Sequence, residues 1–185
     1  NPAMPEVLPY VRVLEKELDL TLDIIVKSTP SSMHSFYEIS SLLRGHGRFI
    51  TTTVDTVFRP EAFRRYAKMW QEAPENIDGM MAMTRYIDDE KPLYIDTDGD
   101  NEPIRAFRDE AWPGAKYISG GIYGLDSKAI GVLQQCMDEG VSRMRNYQRR
   151  LLSAGLTLLG HDMGKILDVD HISDIPKAEA FLRQE

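Results

Sequence analysis

Three things are scarce in this sequence, and each scarcity excludes a class of protein. A single cysteine, Cys136, among 185 residues excludes a disulfide framework and a zinc site built on cysteines. No apolar run approaches the roughly 20 residues of a membrane-spanning helix, and no signal-peptide pattern is present. Basic residues number 22 against 29 acidic ones, a formal charge of −7, so a nucleic-acid surface is not predicted. A cytoplasmic enzyme or binding domain is therefore the expectation.

A glycine-rich phosphate loop is also absent. Nucleotide-binding α/β domains normally open with a strand, such a loop and a helix, because backbone N–H groups at that turn hold phosphates. Here the sequence passes from Asn1-Pro2-Ala3 directly into a helical pattern over residues 5–17. We therefore expect a single domain over residues 1–185 that lacks the first strand–helix unit of such a fold.

Apolar residues alternate between helical and strand-like spacing along the rest of the sequence. Helices are predicted for residues 5–17, 33–44, 59–72, 127–138, 141–154 and 173–182. Strands are predicted for residues 22–26, 48–55, 79–86, 91–96, 103–107, 116–125 and 165–170. This alternation predicts an α/β fold that is Rossmann-like, with a mostly parallel sheet and helices on both faces. The polar turn at residues 96–101 predicts an antiparallel hairpin at one side.

Two of the predicted strands end in acids. Asp55 follows a run of Phe, Ile, Thr and Val, and Asp168 and Asp170 follow a second apolar run. Ligands of open α/β sheets lie outside the carboxyl ends of the strands, and carboxylates there can hold a divalent cation and, through it, phosphate oxygens. Acids also favour turns and helix starts, so each retains a purely structural alternative. The coincidence of two such ends predicts a metal–nucleotide site.

Three stretches resemble the sugar nucleotidyltransferases, the nucleoside-diphosphate-sugar pyrophosphorylase family. Residues 50–58, ITTTVDTVF, are similar to the strand whose terminal aspartate binds the catalytic magnesium. Residues 116–125, KYISGGIYGL, resemble the strand whose glycines let the sugar lie against the backbone. Residues 168–175, DVDHISDI, resemble the closing motif, a metal-binding aspartate followed by a capped helix. The resemblance covers nearly all of this chain and implies a GT-A-type architecture.

The resemblance also implies a reaction and its metal. A sugar 1-phosphate would attack the α-phosphorus of a nucleoside triphosphate, and pyrophosphate would leave. Mg²⁺ would be held by Asp55 and by a closing acid. Alignment on the aspartate before the valine selects Asp168, and alignment on the helix cap selects Asp170. Gly120 and Gly121 would lie against the sugar, although a glycine pair in a strand also marks a bulge.

Other positions take roles from the same resemblance. Ser31 and Ser32 occupy the segment that lies near the base, and Arg108 stands in the segment that contacts the sugar phosphate. A nucleoside triphosphate and a sugar phosphate are thus the implied partners, with no nucleic acid and no membrane, and a homo-oligomer stays open. Two other functions stay open as well: a non-catalytic nucleotide-sugar-binding regulatory domain, and a metal-dependent GT-A glycosyltransferase.

Overall fold

The structure, a computed structural model, describes residues 1–43, 45, 47–87 and 91–183. Its α-helices are α1 (Val7–Glu17), α2 (Ser32–Ser40), α3 (Pro60–Glu72), α4 (Ser127–Asp138), α5 (Met144–Ser153) and α6 (Ile175–Arg183). Short 3₁₀ turns follow α2 and precede α6. The predicted helix 33–44 agrees with α2, except that its expected end at Arg44 lies outside the described residues. Within the described ranges, no helix is long and apolar enough to cross a membrane.

Local chemistry explains where two of these helices begin. Pro60 opens α3, where the N–H that proline lacks would have no intrahelical partner. Asp126 caps α4, because its carboxylate accepts the backbone N–H of Lys128 at 2.9 Å. Both starts therefore agree with the predicted ones to within a residue.

The strands form one large sheet and one small ribbon. They are β1 (Phe49–Thr52), β2 (Thr56–Val57), β3 (Gly79–Thr84), β4 (Tyr94–Thr97), β5 (Glu102–Arg108), β6 (Tyr117–Leu125), β7 (Leu158–Asp162) and β8 (Leu167–Asp168). The large sheet has the order β1-β6-β3-β7-β5-β4. Because β4 also pairs with β6, the sheet curls toward closure. Strands β2 and β8 pair only with each other, as an antiparallel ribbon.

The expected mostly parallel, Rossmann-like sheet is not what the described strands form. The sheet is mixed: β3 and β7 are parallel, whereas β6 runs antiparallel to β1, β3 and β4. A parallel neighbour requires a long crossover that returns the chain to the same end of the sheet. The chain passes from β5 to β6 with no helix between, and both strands run antiparallel to β4, so β6 keeps the direction of β5 and opposes the strands beside it.

Two strand assignments from the sequence were wrong. Residues 22–26, predicted as a strand, join no ladder, and Asp23, Ile25 and Val26 in that segment are exposed. Conversely, β7 was not predicted, yet it is the parallel partner of β3, with Met81 opposite Gly160. Its two leucines are followed by Gly-His-Asp, so its apolar pattern is too short to distinguish it from a loop.

Helices cover both faces of the sheet, as predicted. Strand β3 is buried along its whole length, and its side chains alternate between two cores. Met81 and Met83 face the core shared with α2, α4 and α5, whereas Met80 and Ala82 face the core shared with α3. A third, small core of Leu167, Ala178 and Phe181 fixes α6 against the β2–β8 ribbon. The two acid-bearing segments therefore meet at the side where α6 packs.

Candidate functional site

The β2–β8 ribbon brings the two acid-bearing segments together. Thr56 lies opposite Asp168 in its register, and the Thr56 hydroxyl donates to Asp168 Oδ1 at 3.2 Å. The Asp55 carbonyl accepts the backbone N–H of Val169 at 2.9 Å. Strand β1 ends at Thr52, so Asp55 stands in the bend between β1 and β2 instead of at the tip of a long strand. The sequence thus predicted the proximity of the acids, although the ribbon that produces it was not predicted.

Gly121 allows this bend to approach β6. Its φ is +73°, and a Cβ there would lie 2.5 Å from Thr56 Oγ1 and 2.9 Å from Thr53 Oγ1. Those two hydroxyls hydrogen-bond each other at 2.6 Å, and the Thr53 N–H donates to the Gly121 carbonyl at 3.1 Å. A side chain at Gly121 would therefore push the acid-bearing bend away from the sheet.

Gly120 and Gly121 also form a β-bulge, which is the alternative to sugar contact that the sequence left open for this pair. The β3–β6 register shifts between Met81, opposite Tyr123, and Met83, opposite Ser119. Gly120 and Gly121 lie in the extra length of β6. A Cβ at Gly120 would collide with the Ile166 side chain, just before β8. The bulge and the close approach of the ribbon are thus one feature of the backbone.

The buried hydroxyl of Tyr123 is influenced by the charges of both Asp55 and Asp168. Tyr123 on β6 is 6% exposed. Burial raises the pKa of Tyr123 to about 12; a Ser119 hydrogen bond opposes this rise, and the charges of Asp168 and Asp55 add to it. One buried side chain therefore lies within electrostatic reach of both carboxylates, and it stays neutral at neutral pH.

A cavity of about 640 Å³ opens beside the ribbon. Such a volume falls within the roughly 300–1,000 Å³ typical of small-molecule sites. Asp168, Asp170 and Asp174 are among the residues that line it, as are Lys91 and Lys177. The site is therefore polar and contains both signs of charge.

Neither a protein-family model nor a curated protein matches the sequence. Solved structures do match the fold. The inositol-1-phosphate CTP transferase from T. maritima superposes with a TM-score of 0.72 at 13% identity, covering 94% of this chain and 71% of that one. The nucleoside-diphosphate-sugar pyrophosphorylase from Vibrio cholerae RC9 gives a TM-score of 0.64 at 12% identity, with 94% and 75% covered. A CMP:2-keto-3-deoxy-manno-octonic acid synthetase complexed with CTP gives 0.67 at 16%, with 94% and 76% covered.

This chain has the fold of the sugar nucleotidyltransferases. The resemblance drawn from three short stretches is thereby confirmed at the level of fold. At identities of 12–16%, the roles of residues in those structures cannot be transferred to this chain. The roles are therefore argued from the geometry of this chain.

In this nucleotidyltransferase fold, some of the predicted site residues line the cavity and others only adjoin it. Asp168, Asp170 and Gly120 line the cavity, whereas Asp55 and Gly121 adjoin it through the ribbon. Their chemical roles stay predictions.

Three other predicted residues are not among those lining the cavity. The Ser31 hydroxyl is 2.8 Å from His34 Nδ1, and Ser32 opens α2. Arg108 pairs with Asp96 at 2.9 Å, and its guanidinium lies over the Trp112 ring. The roles given to the two serines and to Arg108 likewise stay predictions.

Both lysines of the described cavity lining were missed from the sequence. Lys91 precedes β4 and Lys177 lies on α6. No local pattern marks either lysine, because each reaches the cavity only through the packing of its element. The spacing of Lys177 three residues after Asp174 was the one available signal, since such a pair shares a helix face.

The acids in this fold suit a magnesium ion that takes most of its ligands from water and substrate phosphates, with few from the protein. Among the described residues, no three of His, Cys, Asp or Glu form a group able to hold a metal. Mg²⁺ usually needs only one or two protein carboxylates and keeps waters and substrate phosphates as its other ligands. The exposed Asp168 and half-buried Asp55, joined by the ribbon, meet that requirement.

Proposed function

We propose that this chain is the nucleotidyl-transferring domain of a sugar-phosphate nucleotidyltransferase. A phosphate oxygen of a sugar 1-phosphate forms a bond to the α-phosphorus of a nucleoside triphosphate, the bond to the β-phosphate oxygen breaks, and pyrophosphate leaves. The observation that supports this most is the joining of Asp55 and Asp168 beside a large polar cavity. That arrangement occurs in a fold whose solved examples are named for nucleotidyl chemistry.

In this proposal Asp55 and Asp168 hold Mg²⁺, which would neutralise phosphate charge when bound. Asp168 is preferred to Asp170 for two reasons. Its register partner, Thr56, directly follows Asp55. Its charge also acts on Tyr123 together with that of Asp55. Asp170 lines the same cavity and is compared directly in the experiment.

The protein's own contribution is alignment. A phosphate oxygen is already charged at neutral pH, so no side chain has to activate it, and the reaction depends on placing the two phosphates in line and stabilising their charge. Gly120 and Ile166 both line the cavity, and the Ile166 side chain fills the space that a Cβ on Gly120 would take.

The experiment measures pyrophosphate release by the natural full-length protein with a panel of nucleoside triphosphates and sugar 1-phosphates. Asp55→Asn and Asp168→Asn should each lower turnover by roughly 10²–10³-fold, the size found when one group that stabilises transition-state charge is removed. Asp170→Asn should lower it less. Asp19→Asn is the matched control, because Asp19 is exposed and its positive φ of 50° suits asparagine equally well.

The thermal midpoint separates a chemical role from a structural one. Asp55→Asn keeps the backbone carbonyl that bonds Val169, so its midpoint should equal that of the unaltered protein. Unchanged turnover in Asp55→Asn would refute the metal role. Nucleotide-sugar binding without pyrophosphate release would instead support the regulatory domain, and sugar transfer from a nucleotide sugar to an acceptor would support the glycosyltransferase.

A further inference from the structure

We infer that the hydroxyls of Thr53 and Thr56 form a hydrogen-bonded relay, the threonine relay, that orients the carboxylate of Asp168. Both threonines act through Asp168 and are therefore positioning residues. The purpose of the relay rests on the proposed function, which makes Asp168 a metal ligand. The relay itself rests on distances between residues of this chain, and it can be tested by metal binding without any substrate.

The chemistry of the groups fixes the direction of the relay. Thr56 Oγ1 lies 3.2 Å from Asp168 Oδ1, and an ionised carboxylate can only accept, so Thr56 donates there. A hydroxyl has a single hydrogen. In the 2.6 Å contact between the two hydroxyls, Thr53 is therefore the donor and Thr56 the acceptor. Because hydrogen bonds in a chain polarise one another, the bond from Thr53 strengthens the bond from Thr56 to Asp168.

Strand β6 fixes the start of the relay. The Thr53 N–H donates to the Gly121 carbonyl at 3.1 Å. Both hydroxyls also occupy the space that a side chain on Gly121 would need, since a Cβ there would lie 2.5 Å from Thr56 Oγ1 and 2.9 Å from Thr53 Oγ1. Threonine is branched at Cβ, which restricts its χ1 angle, so the backbone sets the direction of each hydroxyl. The relay therefore begins at the sheet and ends at the exposed Asp168.

Thr56 connects the two proposed metal ligands. It follows Asp55 directly in the chain, and it is the register partner of Asp168 in the β2–β8 ribbon. That ribbon pairs two residues of each strand, so few backbone bonds fix the distance between the acids. The hydroxyl bond adds a restraint on the Asp168 carboxylate itself. Mg²⁺ requires near-ideal octahedral geometry, so a carboxylate that is already oriented loses less conformational freedom when it binds the ion.

Strand formation alone does not require these hydroxyls. Valine has nearly the shape of threonine and favours strands as well, but it has no hydroxyl. A hydroxyl pair at 2.6 Å that continues to a carboxylate is thus a separate feature of Thr53 and Thr56. The same comparison supplies the variants that test it.

The experiment titrates the natural full-length protein with Mn²⁺, followed by electron paramagnetic resonance, and adds Mg²⁺ as the competitor. Thr56→Val removes both hydrogen bonds of the hydroxyl and should raise the Mn²⁺ dissociation constant by about tenfold, the lower end of the range for groups that orient a metal ligand. Thr53→Val should raise it less, because Thr53 acts through Thr56. Thr56→Ser should restore most of the affinity, because serine keeps the hydroxyl.

A control and a kinetic measurement separate orientation from folding. Thr21→Val is the matched control, since Thr21 is exposed and lies outside the relay; its Mn²⁺ affinity should equal that of the unaltered protein. In turnover assays, Thr56→Val should raise the KM for Mg²⁺ with a smaller change in kcat at saturating Mg²⁺. A partial loss of folded protein would lower kcat and leave this KM unchanged.

The outcomes separate the relay from the proposed reaction. Equal Mn²⁺ affinity in Thr56→Val and in the unaltered protein would overturn the relay, as would a loss that Thr56→Ser does not restore. Either result leaves the proposed function standing if Asp168→Asn loses turnover. Affinity that falls in Thr56→Val and returns in Thr56→Ser, with no pyrophosphate release from any substrate pair, would uphold the relay and refute the reaction. No Mn²⁺ binding by the unaltered protein would overturn the relay together with the metal role of Asp168.

Discussion

The backbone conformation at Gly121 determines how closely the bend that contains Asp55 approaches β6. An alanine there would carry the strain of a positive φ and would place a methyl group 2.5 Å from Thr56 Oγ1. We expect Gly121→Ala to lower the free energy of unfolding by about 1–3 kcal/mol, as for other strained backbone positions. We also expect it to weaken any metal binding by Asp55, because the bend would move. Chemical denaturation checks the first effect, and calorimetry with Mg²⁺ checks the second.

Gly131 supplies the control for that substitution. It lies inside α4, and nothing is within 4 Å of a Cβ built on it. Gly131→Ala should therefore be neutral or stabilise the protein by about 0.4–1 kcal/mol, since alanine restricts the unfolded chain and favours helix. Equal stabilisation by both variants would show that the bend tolerates a side chain at Gly121.

The sequence predicted the acids better than the bases of the candidate site. Asp55 and Asp168 each follow an apolar run, and that local pattern was enough to single them out. Lys91 and Lys177 have no such pattern. They reach the cavity because β4 pairs with β6 and because α6 packs on β8, and both facts depend on contacts distant in sequence. Local patterns therefore could not find them.

At the scale of the element, one hydroxyl on α3 joins two strands. Tyr66 is fully buried; its hydroxyl donates to the Met80 carbonyl at 2.6 Å and accepts the Gly124 N–H at 2.5 Å. Met80 and Gly124 are register partners on β3 and β6. Burial raises the pKa of Tyr66 far above its ordinary value, so the donor stays protonated. Tyr66→Phe should cost about 1–3 kcal/mol, because two buried backbone groups lose their partner.

Urea unfolding measures this cost. Tyr10→Phe is the control, since Tyr10 is 62% exposed on α1 and should change nothing. An unchanged midpoint for Tyr66→Phe would mean that Met80 and Gly124 bond each other once the hydroxyl is gone.

Element types were predicted well where the local pattern was long. Strand β6, the β4–β5 hairpin and α3 all have sequence signals of full length, and the structure contains each of them. The strand predicted for residues 22–26 was wrong because its pattern is short. An apolar pentapeptide forms a strand only where a neighbouring strand has a free edge to pair with, and none of the described strands pairs with it.

At the scale of the whole molecule, the sequence predicted the helix and sheet layers but not the directions of the strands. The alternation of helical and strand-like segments predicted helices on both faces of the sheet, and two helix layers do cover β3. The same alternation is typical of parallel sheets, which led to the wrong expectation for β6. Strand direction depends on the path of the connections, and the composition of a strand does not record that path.

Among the described α-helices, the N-terminal α1 has the least tertiary support. No residue of α1 is buried, and Val7, Tyr10 and Val13 expose 42–62% of their surface. Isolated helices shorter than about 12–15 residues are marginal in water. Amides of α1 should therefore exchange with solvent orders of magnitude faster than those of the fully buried β3, as peptide-resolved hydrogen exchange would measure. Strong protection of α1 would instead mean that its apolar face is covered in solution. If that protection falls on dilution, the cover is a second copy of the chain.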